Sequence, residues 1–121
     1  MPNKSRFFRV LLPFLLAWTV LAGVAGFRSR GVLLEHFEKH GAEFGRITPE
    51  QYLHLAQALR DAPVGGTILQ SSRPGGGFAK YDRGSNAFGA YDADGTVRTF
   101  FRPNDGERYF LRQQRNRNRY D

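Results

Sequence analysis

Residues 78–103 read FAKYDRGSNAFGAYDADGTVRTFFRP, and their pattern decides the fold. Apolar and polar residues alternate in three short runs, 78–83, 86–91 and 96–102. A period of two is the signature of strands with one buried face. Gly84-Ser85 and Asp94-Gly95 separate the runs. An Asp-Gly pair between apolar runs is a strong hairpin signal, and loops this short join antiparallel neighbours. Working outward, TILQSS (67–72) reads as a strand before Pro74-Gly75-Gly76-Gly77, and RYFLR (108–112) as a fifth after Asp105-Gly106. The expectation is an antiparallel meander of four or five strands.

Upstream the period changes. Residues 31–44 (GVLLEHFEKHGAEF) predict a short helix with Val32, Leu33, Phe37 and Phe44 on an apolar side and a break at Gly41. The second helix is better signalled. Thr48 is a good N-cap, Pro49 takes the first helical position, and Gln51 completes a capping box. Tyr52, Leu55, Ala56 and Leu59 follow at helical spacing, and Pro63 and Gly65-Gly66 end the segment. The fold class is therefore α+β, with two N-terminal helices on one face of the sheet and the other face left as a cleft.

The ends differ from this middle. Lys4, Arg6 and Arg9 precede an uncharged run over 10–27, which predicts a signal peptide over residues 1–25, cut after Ala25. The same run is just long enough to be an uncleaved membrane anchor, an apolar helix ahead of the domain. Export to the periplasm or medium, or anchoring in the inner membrane, is expected. The tail 112–121 (RQQRNRNRYD) is arginine-rich and of low complexity, and disorder is expected there. Segment 31–111 holds nine basic and ten acidic residues, so the formal charge of +7 comes from the ends. The tail reads either as an arm seeking the phosphates of RNA or anionic lipid, or as a solubilising terminus. A chain of 121 residues without cysteine allows one domain and excludes a disulfide scaffold, a cysteine zinc site and a thiol nucleophile.

The segment richest in chemistry is His36-Phe37-Glu38-Lys39-His40-Gly41-Ala42-Glu43-Phe44. Histidines four apart share a helix face. They can serve as a general acid and base, as two metal ligands with Glu43 as a third, or as packing residues. The zincin pattern needs Glu directly after the first His, where Phe37 stands. His54 reads as an ordinary exposed residue. On 96–102, alternation puts Arg98, Phe100 and Arg102 on one face and Val97, Thr99 and Phe101 on the other. Paired arginines beside aromatics suit a phosphate and a stacked base, or form a solvated face. Lys80 adds a cation on the face of Phe78 and Asp82. Arg98 and Thr99 line one cleft only across a bulge. No phosphate-binding loop, nucleophile elbow or glycosidase-like carboxylate pair is present.

Taken together, His36 to Gly45, Tyr52 and Ala56, Lys80-Tyr81, Asn86-Ala87-Phe88-Gly89, Asp94 to Pro103, and Tyr109-Phe110 resemble a ribonuclease-toxin module. Such modules end bacterial polymorphic and contact-dependent toxins and are grouped with the barnase/EndoU/colicin/RelE-like fold. The resemblance covers about residues 31–111, and the arginine-rich extension lies outside it. It implies cofactor-free, metal-independent RNA cleavage, with 2′-hydroxyl attack giving a 2′,3′-cyclic phosphate. His36 and His40 would then be acid and base. Lys39, Arg98, Arg102 and Lys80 would meet phosphate charge, and Thr99 and Tyr109 would donate hydrogen bonds. RNA is the expected partner, with a cognate immunity or inhibitor protein in a toxin setting and membrane contact through residues 1–27. The oligomeric state is left open. The alternatives are a non-catalytic exported module that binds RNA or membrane, and a metal hydrolase on His36, His40 and Glu43.

Overall fold

The computed structural model describes residues 25–120, without the side chains of the last two. The leader or anchor reading of 1–25 therefore lies almost wholly outside the described residues. Among the described residues no helix is long and apolar enough to cross a membrane. The chain forms α1 (Arg30–His40), a 3-10 turn (Gly41–Phe44), α2 (Pro49–Asp61), β1 (Ile68–Ser72), β2 (Phe78–Asp82), β3 (Ala87–Tyr91), β4 (Val97–Phe101) and α3 (Glu107–Tyr120). The sheet has four antiparallel strands in the order β1-β2-β3-β4. The architecture is α+β, with three helices.

Local chemistry accounts for the elements. Ser29 accepts from the Val32 amide and starts α1. Thr48 and Gln51 exchange hydrogen bonds at the start of α2, 3.1 and 2.9 Å long, which is the capping box expected from sequence. Tyr52, Ala56 and Leu59 of α2 are buried, while Leu55 is exposed. Between β3 and β4 the Asp92 carbonyl accepts from Gly95, whose φ of 89° suits glycine. Lys80 is buried, and its ammonium donates to the carbonyls of Arg60 (2.7 Å) and Ala62. A cation there satisfies the orphan carbonyls at the end of α2.

Two apolar layers hold the sheet. On the inner face, α1 and α2 pack Leu33, Tyr52, Ala56 and Leu59 against Tyr91, Val97 and Phe100. The Tyr52 hydroxyl donates to the Phe100 carbonyl and the Tyr91 hydroxyl to the Ala56 carbonyl, the latter at 2.8 Å. Residues 25–27 are tied to this layer. The Ala25 carbonyl accepts from Gln57 (2.9 Å) and Arg60 (2.5 Å), and the Gly26 carbonyl from Val97 (2.9 Å). On the outer face, Phe110 of α3 packs with Ala79, Tyr81, Phe88 and Ala90.

Two expectations are corrected at the C-terminus. Segment 108–112 is not a fifth strand, and the chain from 112 to 120 is helical rather than irregular. Adjacent Tyr109 and Phe110 dock side by side on the outer face, and the Gln and Arg residues beyond them are good helix formers. Arg112 pairs with Asp105 across the start of the helix. The outer face is thus partly roofed by α3 instead of lying open.

Candidate active site

The two histidines stand on one side of α1, with ring centroids 6.4 Å apart. The turn after α1 decides what His40 meets. A Cβ on Gly41 would lie 2.5 Å from the Phe37 ring, so any larger residue there would have to displace that ring. The 3-10 turn that follows brings Glu43 back onto His40, with Nδ1 2.8 Å from the carboxylate. A carboxylate only accepts, so Nδ1 is the donor in this bond. Glu43 is itself held by β4: its other oxygen accepts from the Arg102 amide at 2.8 Å. The Arg102 guanidinium donates to the Glu43 carbonyl at 2.8 Å and lies 4.8 Å over the Phe44 ring. The His40 ring stacks on Phe101, with centroids 5.1 Å apart.

His36 is placed differently. Its ring lies 5.0 Å from that of Phe27, and its buried Nδ1 makes no hydrogen bond. Burial first, then the neighbouring His40, holds its pKa below the ordinary 6.5. It lines a cleft of about 450 Å³ with Arg28, Glu35, Asp92, Thr96 and Arg98. Arg98 is exposed and stands 3.8 Å from Asp92. Lys39 is exposed on α1, one residue before His40 and about 100° around the helix from it.

The remaining expected residues separate. β4 carries a register shift opposite Ala90/Tyr91, so Tyr91 pairs with Val97 and Ala90 with Thr99. The bulge turns Val97 into the inner core and leaves Arg98 outside it. This breaks the expected grouping of Val97 with Thr99 and of Arg98 with Phe100. Thr99 and Tyr109 line a groove on the outer face, away from the His36 cleft. The bulge does not bring Arg98 and Thr99 together. Arg102 is engaged with Glu43 and lines a different pocket with Phe44 and Phe100, and Lys80 lies beneath the end of α2, so neither lines the His36 cleft.

Phe101 links the two regions. Its ring meets His40 on one side and Tyr109 on the other, 5.2 Å away. Sequence reasoning entertained Glu43 only as a metal ligand, although its i, i+3 spacing from His40 is the signal for a carboxylate partner. Nothing in the strand pattern singled out Phe101. Among the described residues no three His, Asp or Glu side chains stand close enough to hold a metal ion. A scan against protein-family models finds no match, and a search of characterised proteins finds no significant relative.

Proposed function

We propose that the chain is an exported, metal-independent endoribonuclease of the toxin-module type, cleaving by 2′-hydroxyl attack on the adjacent phosphate. The observation that carries this reading is the histidine pair in two opposed environments. One ring is buried with no hydrogen bond at Nδ1 and the other is held by a carboxylate, so the two can take different roles as base and acid. Burial keeps His36 neutral at neutral pH, which suits a base that removes the 2′-hydroxyl proton. The Glu43 carboxylate holds the His40 ring at Nδ1, which orients it as the acid that returns a proton to the leaving 5′-oxygen. Arg98, beside His36 at the rim, and Lys39 supply positive charge for the pentacoordinate phosphate. The reaction breaks the P–O5′ bond, forms P–O2′, and leaves a 2′,3′-cyclic phosphate and a 5′-hydroxyl.

The test uses the full-length chain in mild detergent, with total RNA and excess chelator. Cleavage leaving cyclic-phosphate ends is expected, and a folded His36→Ala/His40→Ala variant should not cut. A folded wild type that leaves RNA intact, or a double variant as fast as wild type, overturns the reading. The arginine-rich α3 favours a second reading, a non-catalytic RNA-binding module. Salt-dependent RNA binding without cleavage would establish that instead.

A further inference from the structure

The groove on the outer sheet face has no part in the acid–base chemistry above. Ala79, Ala90 and Thr99 are among its lining residues, with Phe88, Tyr109 and Phe110 as aromatic neighbours and α3 along one side. Gln113 and Asn116, one turn apart on α3, both reach it, as do Arg73 and Arg117. Its volume is about 260 Å³, small for a drug-sized ligand and suited to one flat ring system. Buried Ala79, Phe88, Ala90 and Phe110 floor the groove, half-buried Tyr109 offers its ring to a planar group, and two amides offer paired donors and acceptors to that group's edge. The cations add the means to hold a phosphate.

We propose that this groove binds one unstacked base of a single-stranded RNA together with a flanking phosphate. The proposal rests on the ribonuclease reading and adds where the strand runs. Single strands are recognised by bases turned out against aromatic rings and hydrogen-bonded along their edges. The path is continuous: His40 stacks on Phe101, Phe101 meets Tyr109, and Tyr109 lines the groove. Phe88 meets Tyr109 edge-on at 4.9 Å, which fixes that ring as a wall. A strand whose scissile phosphate sits at the histidines therefore meets the groove a short distance along its backbone. Gln113 and Asn116 read the base, and Arg73 and Arg117 hold the phosphate.

The experiment measures fluorescence anisotropy of a fully 2′-O-methylated single-stranded oligonucleotide, which lacks the attacking hydroxyl. Its partners are the full-length chain and two double variants, Arg73→Ala/Arg117→Ala and Gln113→Ala/Asn116→Ala, checked for folding by circular dichroism. The arginine variant should bind about tenfold more weakly and with a shallower salt dependence. The amide variant should lose the wild type's base preference at one position near the cleavage site of natural RNA. Wild-type cleavage with both variants unchanged in affinity, salt slope and base preference would overturn the groove assignment alone. A wild type that neither cuts nor binds RNA would overturn the ribonuclease reading and the groove with it.

Discussion

At the residue scale, Glu43 is the side chain whose role the structure changes most. It fixes the ring of His40 and is itself fixed by Arg102. Glu43→Gln keeps the shape and removes the charge. RNA cleavage by that variant should fall about 100-fold, as when a general acid loses the partner that orients it, while oligonucleotide affinity stays near wild type. Unchanged cleavage would remove Glu43 from the mechanism. Lys80 gives the opposite case. Lys80→Met leaves two helix-end carbonyls without their donor and should cost about 2 kcal/mol in denaturant unfolding, with the folded fraction cutting RNA at the wild-type rate. His36 gives a pH prediction. Its folded pKa lies below 6.5, so the unfolded chain takes up the proton first as pH falls. Its contribution to stability is full above about pH 6.5 and is lost on acidification below that. The difference in unfolding free energy between wild type and His36→Gln should change across that window. A constant difference would contradict the burial of the ring.

At the element scale, the sheet and α2 were the most legible parts of the sequence. Alternation and an Asp-Gly turn mark the strands and their hairpin, and the Thr48 to Gln51 capping box is a local code. What escaped depends on tertiary context. The β4 bulge shows only when β3 is paired beside it, and it moved Val97 inward and Arg98 outward. The helix α3 escaped because a short aromatic pair followed by polar residues has no period of its own. It becomes a helix when Tyr109 and Phe110 find the outer face. The histidine pair was legible from spacing, but its asymmetry arises from Phe27 and Glu43, which chain folding brings to the two rings. Gly89 tests the sheet itself. A Cβ there would lie 2.2 Å from the Tyr91 hydroxyl, which is bonded to α2. Gly89→Ala should lower stability by about 1–3 kcal/mol through overpacking, read as a lower denaturation midpoint. Equal midpoints would mean that Tyr91 has another place to go.

At the scale of the whole molecule, charge and aromatic surface lie along one route. The 31–111 segment is nearly balanced; part of the excess positive charge lies in residues 1–30 and the rest on α3, which runs beside the outer groove. RNA binding driven by such a helix should weaken steeply with salt, while the chemical step at saturating RNA should not. The central claim is that the histidine pair uses the substrate's own 2′-hydroxyl as nucleophile. The most direct measurement places a single 2′-deoxy sugar at the mapped cleavage position of an oligoribonucleotide and follows cutting in excess chelator. The account predicts that cleavage at that bond stops, while the unsubstituted oligonucleotide yields a 2′,3′-cyclic phosphate. Cleavage at the deoxy position at the same rate would show that another nucleophile attacks and would contradict it.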